Sequence, residues 1–451
     1  MAATAATSAP ASGADTKTER SKRRLFWSIC FGHMAVDGFN SIGPVIMAFM
    51  AAHVMPMTNT QIGFAISLYQ LFGAITQPFF GFQADRSGGK WLGAGGVAWV
   101  VILEVLAIVI AALTGSYILM LIPFVLAALG SGSFHPVGSM HAAESSKTRS
   151  MTNLSIFFLM GQTGSAIAPT ILGILLDSAA THNNVFTAAL GPSMAGVLRE
   201  SGSITPIFLM ALIALPPILW LFMTMPSSRA YNSVRVAAGI NPKSSTFYRA
   251  PRAQMIALGT LAVVVALRSF ANPGVVAFIP RLFALKGWSA AEYGLITGGF
   301  WLAGGLAGVL FSRLAEQFGA RRIISITLIL AAPLLYILPG TDGIVAFVVA
   351  WSMGALSGGS HSLIVALSQR LIPAGKGFSS GASLGYIFGM GALGTLLIGA
   401  IADRTSIGTA YQVVSFALLA TGLVALLLPP DDRAARARLA QAAAAQASAA
   451  D

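Results

Sequence analysis

Charge is what this chain has least of. Asp, Glu, Lys and Arg together make up 9% of its 451 residues, where a soluble domain carries roughly 25%. A water-facing fold is thereby excluded for most of its length. Cysteine is scarcer still: Cys30 stands alone, so neither an internal disulfide nor a cysteine metal cluster can form. The six histidines are too scattered for a His-Glu-x-x-His or other recognised metal pattern. No grouping of nucleophile, base and orienter can be read either. The expectation is a protein that is not an enzyme and uses no metal or cofactor.

What fills the chain is apolar. Hydrophobic residues make up 55% and mean hydropathy is +0.76. Twelve long apolar segments fall at 25–50, 62–84, 91–114, 117–142, 151–177, 204–225, 254–283, 290–313, 322–339, 342–369, 377–402 and 409–428. Each bilayer crossing needs about 20 apolar residues, and in hydrocarbon the backbone must pair within its own segment. The segments are too long for barrel strands and lack their two-residue alternation. An all-α membrane protein with twelve transmembrane helices follows.

An even number of crossings puts both termini on one side, and Lys and Arg say which. We place about 22 of the 27 in the two tails, the even-numbered loops and the central loop, with Arg199, Lys286 and Arg404 clearly elsewhere. By the positive-inside rule those tails are cytoplasmic. The net charge of +12 is then a signature of topology, and nucleic acid is not an expected partner. Residues 1–24 read as a disordered tail, with no signal-peptide core. Residues 25–225 form a first six-helix half, 226–252 a cytoplasmic linker, 253–428 a second half and 429–451 an Ala-rich cytoplasmic tail.

The halves repeat. Gly81-Phe82-Gln83-Ala84-Asp85-Arg86-Ser87-Gly88-Gly89-Lys90 lies between segments two and three, and Ser312-Arg313-Leu314-Ala315-Glu316-Gln317-Phe318-Gly319-Ala320-Arg321 between segments eight and nine. At an offset of 231 residues, Asp85 aligns with Glu316, Gly88 with Gly319, Lys90 with Arg321, and Asp37 with Arg268. At an offset of 226, His135 aligns with His361, Gly173 with Gly399, and Asp177 with Asp403. Internal repeats of this kind typify secondary transporters.

The first of these loops closely resembles the cytoplasmic motif of the major facilitator superfamily. Three further stretches resemble its fosmidomycin-resistance group: Gly32-His33-Met34-Ala35-Val36-Asp37, Gly130-Ser131-Gly132-Ser133-Phe134-His135-Pro136, and the antiporter-like Gly161-Gln162-Thr163-Gly164-Ser165-Ala166-Ile167-Ala168-Pro169. The resemblance implies a monomeric proton-coupled exporter of small molecules in a bacterial-type inner membrane. It also implies that segments one, four, seven and ten line its centre.

Those four segments carry polar stripes at helical spacing: His33, Asp37, Asn40 and Ser41; Ser131, His135 and Ser139; Arg268 and Asn272; Ser357, His361 and Ser368. Ionisable groups in a spanning helix are costly and mark function by default. His33, Asp37, Asn40, Glu104, His135, Arg268, Asn272 and His361 are therefore the expected substrate and proton pathway. In it Asp37 exchanges protons and Arg268 attracts an oxyanion through its forked donors. A permanent Asp37–Arg268 ion pair, buried structural histidines and a structural partner for Glu104 are the plainer readings. Gly81, Asp85, Arg86, Gly88, Lys90, Glu316 and Arg321 are expected to latch the cytoplasmic face. Fosmidomycin-like efflux is the expected function, with proton-coupled uptake of an organic acid or a non-transporting sensor as alternatives.

Overall fold

The computed structural model describes residues 13–87, 89–145, 150–180, 206–237, 251–372 and 376–428. Among them are twelve long helices: α1 (Gly13–His53), α2 (Asn59–Ser87), α3 (Lys90–Thr114), α4 (Tyr117–Glu144), α5 (Ser150–Ala180), α6 (Pro206–Thr224), α7 (Arg252–Ala284), α8 (Ala290–Phe318), α9 (Ala320–Ile337), α10 (Gly343–Leu371), α11 (Lys376–Arg404) and α12 (Ile407–Ala425). Each coincides with one expected segment, and no strand occurs among the described residues.

Local chemistry sets where the helices begin and end. Gly89 and Gly115 bracket α3, both at φ 61°, a left-handed conformation that glycine adopts without cost. Ser289 caps α8 in a reciprocal box with Glu292, and the side chains of Asp342 and Ser406 cap α10 and α12. Each supplies an acceptor to the unpaired N–H groups of a first turn. Large side chains such as Ile102, Leu113, Leu212 and Phe416 stay exposed. They form the apolar surface that a lipid-embedded bundle presents to the membrane.

One expectation is corrected. Helix α1 starts at Gly13, so residues 13–24 are helical where their composition suggested disorder. Glu19 and Lys22, one turn apart, pair at 3.0 Å on that extension, the kind of contact that supports a polar helix end. The linker carries a short amphipathic helix at Ser228–Ala237. Eleven of the twelve helices are long and apolar enough to span a bilayer by composition alone; α2 is the exception. Its glutamines 61, 70, 77 and 83 lower its hydropathy. Gln77 is nevertheless buried, and Phe72, Ile75 and Phe79 are exposed. The helix therefore turns polar groups inward and apolar ones out, and a sum over its length hides that.

Packing repeats with the sequence. In the first six helices α1 packs on α5 and α6, α2 on α4, and α3 on α4 and α6. Adding six to every label gives the corresponding contacts of the last six: α7 on α11 and α12, α8 on α10, and α9 on α10 and α12. The two main joints between the sets are α2 with α11 and α5 with α8, with lesser contacts of α1 on α7 and α4 on α11. Both main joints depend on missing side chains. A Cβ on Gly385 of α11 would lie 2.5 Å from the Ala74 carbonyl oxygen of α2, and one on Gly294 of α8 at 2.5 Å from that of Pro169 in α5. Only glycine allows so close an approach.

The repeated aspartates act at these joints. Asp177, at the end of α5, accepts hydrogen bonds from Ala290 N at 2.7 Å and Ala291 N at 2.9 Å, the start of α8. Asp403, at the end of α11, accepts from Asn59 N at 2.9 Å and Thr60 N at 2.8 Å, the start of α2. Each carboxylate thus satisfies two unpaired N–H groups and faces the positive end of a helix dipole. At the far end of the α2–α11 pair the roles reverse, and Asp85 of α2 accepts from Phe378 N of α11 at 3.2 Å.

Because these are capping interactions, Asp177→Ala and Asp403→Ala should each cost about 1 kcal/mol of stability. The two sites share no partner, so the double variant should lose about the sum. Thermal unfolding of the purified protein in detergent measures both; a fully intact midpoint in the double variant would contradict the capping role.

Candidate transport site

Helix α1 places His33 and Asp37 one turn apart, and α4 brings His135 against them. The Asp37 carboxylate lies between the two rings: Oδ2 is 3.1 Å from His33 Nε2 and Oδ1 is 2.9 Å from His135 Nε2. Both histidines are buried, while Asp37 keeps about 16% of its side-chain surface exposed. The other ring nitrogens are also held. His33 Nδ1 meets the Phe157 carbonyl at 2.7 Å, and His135 Nδ1 meets that of Ser131 at 2.8 Å. The Phe157 ring stacks on His33 with centroids 3.9 Å apart.

Asn40 extends the cluster. Its amide nitrogen donates to Ser131 Oγ at 3.0 Å and more weakly to Asp37 Oδ1 at 3.3 Å. Its amide oxygen accepts from the Tyr69 hydroxyl of α2. The Tyr69 hydroxyl also lies beside the buried carboxyl of Glu104 on α3. Tyr69 thus stands between Glu104 and Asn40, which in turn reaches Asp37.

The facing helices α7 and α10 hold a different constellation. Arg268 is buried, its Nε donating to Ser360 Oγ at 3.1 Å and its Nη2 to the Ser357 carbonyl at 2.8 Å. Ser357 Oγ donates to the Asn272 side-chain oxygen at 2.9 Å. Among the described residues no carboxylate stands within ion-pair range of Arg268. His361 is partly exposed, and its charged neighbours are Arg268 and Asp37. It therefore sits between the two constellations.

The residues expected on a pathway are thus brought together, but the pairing differs from the repeat alignment. The ion pair between Asp37 and Arg268 does not form. Asp37 is taken by two imidazoles, and Arg268 by a serine hydroxyl and a carbonyl. His135 and His361, aligned in sequence, also diverge, the first bonded to Asp37 and the second standing beside Arg268. Sequence equivalence fixed their helices and depths, while the neighbouring side chains fixed their bonds.

The residues expected to latch one face are only partly engaged across the joint. Asp85 reaches α11, as described, whereas Arg86 lies 3.9 Å over the Phe82 ring of its own helix. Gly81 is buried in α2 and Lys90 begins α3. Arg321 approaches the Leu426 and Leu428 carbonyls, both at 3.5 Å, which ties α9 to the end of α12 rather than to the first six helices. Glu316 lies in the last turn of α8, and Gly88 lies outside the described residues.

Sequence patterns missed the contributions of α5. A Cβ at Gly161 would stand 2.5 Å from Asp37 Oδ2, so this glycine lets α5 lie against the cluster and bring the Phe157 carbonyl to His33. The glycine-rich run at 161–164 was the available signal. Ligand atoms of His33, Asp37 and His135 lie within 4.8 Å of one another, the one such cluster among the described residues. Histidines that looked scattered along the chain therefore converge in space, where hydrogen bonds account for their spacing.

Residues 25–286 and 261–451 each match the family described as Major Facilitator Superfamily. The chain is 25% identical over 424 residues to the Fosmidomycin resistance protein of Escherichia coli (strain K12), covering 93% of this chain and 97% of that one. It is 24% identical over 406 residues to the uncharacterized MFS-type transporter YfnC of Bacillus subtilis (strain 168), covering 89% and 91%. The crystal structure of the E. coli fucose:proton symporter FucP has the same fold, with TM-score 0.57 and 16% identity over 90% of this chain and 98% of that one.

Gly161→Ala tests the packing beneath the cluster. The added methyl has no free space, and overpacking of this kind costs about 1–3 kcal/mol. A lower thermal midpoint in detergent is expected; an unchanged one would show that α5 can withdraw from His33 and Asp37 without cost.

Proposed function

Because this chain belongs to the Major Facilitator Superfamily, we propose that it is a proton-coupled secondary transporter exporting a small anionic or amphiphilic solute. Membrane transport by a multi-pass helical protein is common ground for its family and fold. The solute, the coupling and the direction are our reading. It works as a monomer by alternating access, two six-helix units rocking about a central site. From the Lys and Arg asymmetry we assign both termini to the cytoplasmic side of an inner membrane.

One observation carries the solute class. Arg268 is buried with no carboxylate beside it among the described residues, an arrangement costly enough to need a functional reason. Of the five N–H donors of a guanidinium, two are used, leaving three for a ligand. A phosphonate or carboxylate fits that forked geometry. The name of the Escherichia coli relative favours a fosmidomycin-like phosphonate.

Asp37, with His33 and His135, is the proton site in this reading, and its partners bear on direction. Proton uptake there adds positive charge near Arg268, which strengthens the binding of an anion. Protons and a purely anionic solute would then load together, the arrangement of uptake. Export follows where a positive or bulky end of an amphiphilic solute reaches Asp37 and competes with the proton. Uptake is therefore the second reading, and it rests on the absent Asp37–Arg268 ion pair.

Everted membrane vesicles energised with a pH gradient and monitored by a pH-sensitive dye test the proposal. Fosmidomycin should collapse the gradient, and Asp37→Asn should abolish that response. Arg268→Gln should raise the half-saturating concentration about tenfold or more, the loss of one charge-assisted contact. Accumulation of solute in right-side-out vesicles would instead select uptake. No proton movement with phosphonates, organic acids or cationic drugs would refute proton-coupled transport.

A further inference from the structure

The hydrogen bonds around Asp37 constrain its protons more tightly than the functional reading requires. A carbonyl oxygen can only accept a hydrogen bond. His33 Nδ1 faces the carbonyl of Phe157 at 2.7 Å, and His135 Nδ1 faces that of Ser131 at 2.8 Å, far closer than the Ser131 hydroxyl at 3.4 Å. Both imidazoles must therefore carry hydrogen on Nδ1. Their Nε2 atoms, 3.1 and 2.9 Å from the two oxygens of one carboxylate, are left with a lone pair or a second proton. A carboxylate has only lone pairs to offer. Each of the two contacts is thus a hydrogen bond only if it holds a proton of its own.

We propose that His33, Asp37 and His135 form a two-proton site in which both rings are fixed as the Nδ1–H form and each Nε2–carboxylate contact binds one exchangeable proton. With both protons bound the cluster has one net positive charge; with one it is neutral, and with none it has one net negative charge. This deepens the proposed proton coupling and rests on that reading for its role in transport, setting two protons per cycle at this cluster. The other groups facing it are few. Tyr69 and Glu104 reach it through Asn40 from α2 and α3, and His361 faces it from α10, with Arg268 of α7 on the other side of His361. Helix α5 contributes Phe157 and Ser165, whose hydroxyl donates to the Asp37 carbonyl at 3.4 Å, and α11 contributes the Phe388 ring. None of these offers Asp37 a further cationic hydrogen-bond donor beyond the two imidazoles.

Nitrogen-15 NMR of the full-length protein, labelled at histidine and reconstituted in lipid, reads the two rings directly. Signals of His33 and His135 are assigned by their loss in His33→Asn and His135→Asn. Both rings should keep Nδ1 protonated at every pH, while both Nε2 resonances move into the range of an unprotonated nitrogen as pH rises. In Asp37→Asn the amide oxygen accepts from one Nε2–H and the amide N–H donates to the other Nε2. One ring should then remain neutral in its Nδ1–H form, halving the proton uptake of the pair.

A neutral Nε2–H form at either ring in the wild-type protein would overturn the proposal, as would a single titrating ring. The wild-type spectrum alone decides this even where a variant fails to fold. No solute is needed. Loss of vesicle transport with both Nδ1–H rings in place would count against the solute reading and leave the proton site standing.

Discussion

An aspartate in the middle of an apolar helix is tolerable only if something nearby stabilises its charge. In this molecule two imidazoles do so, one from the same helix and one from α4, and the surrounding structure serves to hold them. Phe157 stacks on one ring and supplies it with a carbonyl. Ser131 supplies the other carbonyl. Gly161 removes the side chain that would otherwise keep α5 at a distance. Together these contacts hold both rings with Nδ1 toward a carbonyl and Nε2 toward the carboxylate.

The opposing helices solve the same problem in the other sense. Arg268 is held by neutral acceptors alone, a hydroxyl and a carbonyl, so its charge remains uncompensated. The molecule therefore pairs a nearly self-sufficient acidic cluster in its first six helices with an unfulfilled cation in its last six. His361 stands between them.

Much of this was legible in the sequence. Twelve helices, their approximate ends, the internal repeat and the four polar stripes all follow from hydropathy and spacing, because bilayer thickness and helical pitch act locally along the chain. Asp37, His135 and Arg268 were legible as candidates because a charge at membrane depth is expensive wherever it points. Their bonds were not. The alignment of Asp37 with Arg268 suggested an ion pair, but pairing depends on rotamers and on how close α5 lies to α1. Those in turn depend on a glycine whose significance appears only once its neighbour is known. Helix α2 failed a composition test for the related reason that hydropathy sums over a helix while burial acts by face. The helical stretch before residue 25 was missed because polar composition alone does not separate a solvated helix from a coil.

The two aspartates at the joints, Asp177 and Asp403, stem from equivalent points of the repeat, so this face is fastened twice by the same device. Such duplication changes how failure would look. With one fastening gone the other still holds, and the two sets of helices would swing about the surviving corner like a door on a single hinge. Damage at one aspartate would then appear as lopsided, leaky motion, and only damage at both would leave the face free.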